Sequence, residues 1–184
     1  MSDRDCLAID RARAHGVPAE VMLTADKHSF SDALLAHLQA NQIDYVISFF
    51  TKLFARNVLQ VYQDRILNLH PSLLPAFKGL DGFGDTVRYG ARYLGTTIHF
   101  IYDNMDEGKI IMQTVCPLDP QLPEKVLRHQ VFSQQCISLL QVVRWLAAGR
   151  ISIIDNRVVI AGSRFLDCQF SPSLDFPEAI KLQV

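Results

Sequence analysis

Asn68 and His70 stand two residues apart in the run ILNLHPSLLP. In an extended strand, residues i and i+2 face the same side, so an amide and an imidazole would project together. The amide can hydrogen-bond a carbonyl oxygen as it gains charge, and the imidazole can move or stabilise a proton, a pair suited to acyl transfer. The same residues also fit a quieter role, a turn cap before proline and a loop histidine with its hydrogen bonds met. Asp106, in NMDEGKII, sits where any tight turn between strands favours Asp and Gly. Buried against His70 it would fix the ring's tautomer and raise its basicity. His99, in TTIHFIY, faces either the same cleft or the core. His15, His28, His37 and His129 fall in expected helices or loops. No pair has metal-ligand spacing, so no metal site is expected.

The elements that position these groups follow from periodicity. Residues 45–50 and 66–69 are continuous apolar runs, the mark of strands buried on both faces of a parallel sheet. They are expected to be adjacent, parallel and central, with their carboxyl ends lining the main cleft. Residues 3–15 alternate apolar and charged groups before Gly16 and predict an amphipathic helix. A short strand is expected at 19–24. Ser29 or Ser31 would cap a helix whose stripe is Leu34, Leu35, Leu38 and Ile43. Helices are expected at 55–64, 86–91 and 123–148, a hairpin of strands at 96–102 and 110–118, and a terminal hairpin around Asp155, Asn156 and Arg157. This order implies an open, mixed, mostly parallel α/β sheet of Rossmann type with helices on both faces.

Bulk properties narrow the class. The 184 residues are 49% hydrophobic and 20% charged, enough for one α/β domain over residues 1–184, with no repeat or linker to divide it. A formal net charge of −1 gives no electrostatic basis for capturing nucleic acid. Cys6, Cys116, Cys136 and Cys168 are scattered, so reduced thiols are expected, with neither a disulfide framework nor zinc. No segment approaches the roughly 20 apolar residues of a membrane helix, and the charged N-terminus is unlike a signal peptide. A soluble cytoplasmic protein is expected.

From about residue 44 to about residue 118 the chain resembles the formyltransferase domains that use 10-formyltetrahydrofolate, most closely the glycinamide ribonucleotide transformylases of purine synthesis. The likeness rests on ILNLHPSLLPAFKGL and GTTIHFIYDNMDEGKIIMQ, an Asn-x-His-Pro-Ser-Leu-Leu-Pro string followed by His-Phe-x5-Asp-x-Gly. The resemblance implies that Asn68 holds the formyl oxygen, that His70 stabilises the charge formed there, and that Asp106 orients His70 or a water and helps take a proton from the attacking amine. It implies supporting roles for Ser72 and His99. It places the pterin ring of the 10-formyltetrahydrofolate cosubstrate between Lys52, Leu53 and Phe54 on one side and Ile101, Tyr102 and Asp103 on the other. The family's opening strand and phosphate-binding glycine loop have no counterpart here, and its acidic acceptor-binding residue is matched by Gln135. Donor chemistry thus reads as retained and acceptor recognition as altered. The expected function is formyl transfer to a small-molecule amine, with glycinamide ribonucleotide as acceptor. Another amine, water, or folate binding without catalysis stand as alternatives. A monomer or homodimer is expected, with any sheet edge left by the absent strand covered by a partner, a tail or a replacement strand.

Overall fold

The apolar run that carries Asn68 and His70 is a strand, and the sheet is best built outward from it. The computed structural model describes residues 1–23, 26–49, 54–166 and 168–176. They divide into two compact units, Met1–Asp44 with Phe50–Tyr62, and Tyr45–Phe49 with Gln63–Val184.

The first unit is helical: α1 Leu7–Ala14, α2 Lys27–Ala40 and α3 Arg56–Val61. The cap of α2 is Asp26, whose carboxylate accepts from the backbone N–H groups of His28 and Ser29. Asp26, and neither Ser29 nor Ser31, therefore fills the cap position. Ser31 is instead buried, and its hydroxyl accepts from Ala55 N at 3.0 Å. The strand expected at 19–24 is not formed among the described residues; Val21 makes only an isolated bridge to Ser2.

The second unit contains the sheet. Its strands are β1 Val46–Ser48, β2 Ile66–His70, β3 Tyr93–Phe100, β4 Ile110–Pro117, β5 Ile151–Ile154, β6 Arg157–Ile160 and β7 Phe170–Ser171, with helices α4 Gly82–Tyr89 and α5 Glu124–Ala147. The main sheet has the order β1-β2-β3-β4-β7. β1 and β2 are parallel, whereas β2–β3, β3–β4 and β4–β7 are antiparallel. The sheet is open and mixed as the sequence implied, but its parallel part is a single pair. The two apolar runs are adjacent and parallel as expected; the central placement of both is not found, because β1 forms an edge of the described sheet. After β2 the chain grows the sheet by antiparallel strands on one side only, which leaves β1 outermost. β5 and β6 form a separate hairpin. Asp155 and Asn156 at its tip both have positive φ, the two-residue turn such residues favour.

Leu67, Leu69, Ile98, Phe100, Ile111 and Met112 from the sheet pack with Val142 and Trp145 of α5. A second cluster joins Phe83 of α4, Leu94, Leu118 and the first turns of α5. β3 is buried at every position after Tyr93, with Thr96, Thr97 and His99 among its buried residues. α4 begins four residues before the predicted start at 86 because Asp81 caps it, accepting from Gly84 N. It ends at Gly90, whose φ is +76°. No helix of the described residues is long and apolar enough to cross a membrane.

Candidate active site

β2 ends in Asn68-Leu69-His70. The leucines of this strand fill the core, so the period of two turns the amide and the imidazole to the other face. The strand opposite supplies the neighbours: Asn68 pairs with His99 and His70 with Thr97 in the β2–β3 register. His99 donates its Nδ1–H to the Phe100 carbonyl at 2.8 Å. Its other nitrogen, Nε2, lies 3.3 Å from Asn68 Nδ2. Burial pushes the His99 pKa down, against the Phe100 hydrogen bond and the Asp106 charge that favour the protonated ring. The ring is therefore neutral near pH 7, and its Nε2 accepts from the Asn68 amide. That contact fixes the amide's orientation and leaves one N–H and Oδ1 of Asn68 for another partner.

His70 places Nε2 on the Phe77 carbonyl at 2.8 Å and Nδ1 at 3.5 Å from Asp106 Oδ2. The other carboxylate oxygen, Asp106 Oδ1, stands 3.6 Å from His99 Nε2. Asp106 is thus a buried carboxylate facing two imidazoles, its side chain 6% exposed. It reaches this place because the loop after β3 folds back over the sheet. Asp106 adopts a left-handed conformation, φ +55°, which Asp tolerates better than most residues. A Cβ on Gly108 would overlap the Phe100 carbonyl, so glycine is required there. Gly79 N donates to Asp106 Oδ2 at 2.8 Å, and Lys78 pairs with Glu107 at 2.8 Å, tying this loop to the one after β2. At the loop's foot, Tyr102 OH bonds Asp64, and Lys109 reaches both groups. Burial, then the Asp64 carboxylate, pushes the Tyr102 phenol well above its usual pKa, so it stays a donor.

The loop after β2 is held from beneath. Thr96 donates to the His70 carbonyl and Thr97 to the Ser72 carbonyl, at 2.9 and 2.8 Å. Thr97 Oγ1 also accepts from Leu74 N and Gln113 Nε2. Ser72 donates to the Ala76 carbonyl at 2.7 Å, so within the described structure it shapes the loop. Gln135 donates to Thr96 Oγ1 at 3.1 Å and belongs to the same scaffold.

The structure therefore brings Asn68, His70, His99 and Asp106 together: Asn68 and His99 share a hydrogen bond, the Asp106 carboxylate lies 3.5 and 3.6 Å from the two imidazoles, and Ser72 shapes the loop behind them. Ile101, Tyr102 and Asp103 form the start of the Asp106 loop. Phe54 is buried two residues before the start of α3 in the helical unit. Lys52 and Leu53 lie outside the described residues. Sequence reasoning missed Thr96, Thr97, Gln113, Asp64, Lys109 and Gly82. Two adjacent threonines in a fully buried strand were the available signal, since buried hydroxyls need partners.

The formyl transferase family profile matches residues 1–143. A phosphoribosylglycinamide formyltransferase from Bacillus subtilis is 34% identical over 115 residues, 60% of this chain and 59% of that protein. The chain thus spans less than two thirds of this relative's length. Glycinamide ribonucleotide transformylase 1 from Symbiobacterium toebii superposes with a TM-score of 0.81 at 34% identity, over 86% of this chain and 77% of that one. A formyltetrahydrofolate deformylase from Pseudomonas putida superposes with a TM-score of 0.72 at 25% identity, over 82% of this chain and 55% of the other.

Proposed function

Because the chain belongs to the formyl transferase family, we propose that it transfers a formyl group from 10-formyltetrahydrofolate to a small-molecule amine, with glycinamide ribonucleotide the favoured acceptor. The observation that carries this reading is the cluster of part-buried Asn68 with buried His70 and His99 and the Asp106 carboxylate at the carboxyl end of β2, where open α/β sheets take their ligands.

The donor set suits a formyl group. Asn68 spends one N–H on His99 and keeps a second for an oxygen that gains charge as an amine adds to the formyl carbon, which is where a preorganised donor is worth most. The folate supplies the activated formyl carbon; the protein supplies orientation and proton handling. Asp106 accepts a proton from the attacking amine with His70 Nδ1 3.5 Å away to relay it, and a proton is returned to the folate nitrogen as its bond to the formyl carbon breaks and tetrahydrofolate leaves. Ile101, Tyr102 and Asp103 would flank the pterin from the sheet unit, with the Lys109–Asp64–Tyr102 cluster holding their loop. Lys52, Leu53 and Phe54 are carried into the same proposal by sequence match.

A second reading is hydrolysis, with water as the acceptor, favoured by the likeness to the Pseudomonas putida deformylase. Incubation with 10-formyltetrahydrofolate alone, then with glycinamide ribonucleotide, separates the two. Tetrahydrofolate and formylated glycinamide ribonucleotide appearing together support transfer. Formate released without amine supports hydrolysis. Folate binding with neither product would overturn both.

A further inference from the structure

Gly82 is the first residue of α4, and its backbone does not ask for glycine, since its φ is outside the left-handed region. The space around it does. A Cβ at Gly82 would stand 2.5 Å from His70 Nε2, 2.9 Å from the Phe77 carbonyl oxygen and 3.0 Å from His70 Cε1. These are the atoms of the hydrogen bond that holds the imidazole. A carbonyl oxygen can only accept, so the nitrogen on it, Nε2, carries a proton. Phe77 aims that carbonyl inward from a left-handed conformation, φ +54°, unusual for an aromatic residue. His70 is 3% exposed, which leaves the ring little room to settle elsewhere. Its remaining nitrogen, Nδ1, faces Asp106.

We infer that Gly82 is a positioning residue for His70: by lacking a Cβ it lets the ring seat Nε2–H on the Phe77 carbonyl, and this leaves Nδ1 as the nitrogen that exchanges a proton with Asp106. The seat itself is a matter of geometry, while its use in formyl transfer rests on the function proposed above. Gly82→Ala adds one methyl group at a helix start, where alanine otherwise favours the helix. Its harm should therefore be confined to the ring and the carbonyl that it strikes.

Two measurements on the full chain test this. In 15N-histidine NMR, with His70 assigned by its loss in His70→Ala, the neutral ring should show the Nε2–H tautomer. Gly82→Ala should shift that signal or abolish the tautomer preference. In thermal unfolding, Gly82→Ala should lower the melting temperature in the wild-type background and lower it much less, or raise it, in His70→Ala. An unfolded single variant beside a folded double variant gives the same support. An Nδ1–H tautomer in the wild type overturns the inference. So does an unchanged His70 signal in Gly82→Ala, or an equal loss of stability, including failure to fold, in both backgrounds. In formyl-transfer assays, Gly82→Ala should lose roughly tenfold or more in kcat with folate binding nearly unchanged; an unaltered kcat removes the catalytic half. A wild-type chain without transferase activity would instead overturn the proposed function, while the NMR result still decides the seat.

Discussion

In the proposed transfer Asn68 works only if its amide is held the right way round, and the residue that holds it is a neutral histidine. Substituting Asn68 with alanine should lower kcat by about 10²–10³, the usual worth of one oxyanion donor, with folate affinity retained. Steady-state kinetics beside calorimetry with a folate analogue would show it. An equal loss of affinity would assign Asn68 to binding instead. His99 adds a pH dependence of definite sign. Burial lowers its pKa below the ordinary value of roughly 6.5, so between those two values the unfolded chain binds the extra proton and the folded chain does not. Stability from this residue is present above about pH 6.5 and falls as the solution is acidified through that value. His99→Gln should flatten the fall in melting temperature on acidification below roughly pH 6.5; identical slopes in the two proteins would rule His99 out. The spacing of Asn68 and His70 was readable because a strand's period of two is written in the sequence. The place of Asp106 beside His70 was readable only through the family resemblance, since Asp-x-Gly by itself serves any hairpin turn and only the folded-back loop distinguishes this one. Gly82 was invisible because its reason is a collision that exists only in three dimensions.

Two loops, residues 71–79 and 101–109, flank the candidate site, and β3 lies beneath both. Gly108→Ala would drive a Cβ into the Phe100 carbonyl, and the loop can relieve that only by moving Asp106 with it. A shift of about 1 Å commonly costs on the order of 10² in rate, so transfer should fall that far, with KM for the donor less affected. Near-wild-type kcat would show the loop adapts without disturbing the carboxylate. Thr97→Val removes a hydroxyl bonded to the Ser72 carbonyl, Leu74 N and Gln113 Nε2. Leaving these buried partners short should cost about 2–4 kcal/mol in denaturant unfolding, whereas Thr97→Ser should retain most of it. A Thr97→Val loss below about 0.5 kcal/mol would mean that water replaces the hydroxyl. The strands of the main sheet before β7 and the long helices were legible from apolar runs and helical spacing, whereas the strand expected at 19–24 is not formed among the described residues. The start of α4 was not legible, because DGFGD reads as loop until Asp81 is seen to cap it. β7, two residues long, leaves no periodicity to find.

At the scale of the molecule, the sheet unit is closed by a segment whose sequence, SPSLDF, looks like an ordinary polar loop. Its anchor is Asp175. The carboxylate accepts from Trp145 Nε1 at 2.8 Å and from Arg150, while Asp175 N donates to Gln141 Oε1 at 2.7 Å. Trp145 and Gln141 are fully buried, so their polar atoms have few other partners. Arg150 also donates to the Ala161 carbonyl, which links the end of α5, the β5–β6 hairpin and this segment through one carboxylate. Burial resists the charge on Asp175, but the Trp145 and Arg150 hydrogen bonds outweigh it and hold the carboxyl below its ordinary pKa. The stability it contributes is therefore present above about pH 3.9 and disappears as pH falls below that value. Asp175→Ala orphans the buried indole N–H and leaves Arg150 without its carboxylate, at a cost of about 2–4 kcal/mol. For a chain of this size that lowers the melting temperature by roughly 5–15 °C. Asp175→Asn keeps an oxygen acceptor for the indole and loses only the charge, so it should fall between the two. Because the loss lies in the α5 and hairpin end of the unit, catalysis at temperatures where each variant is folded should be unchanged. A drop in kcat of Asp175→Ala under those conditions would show that this anchor also tensions β3 and the site above it.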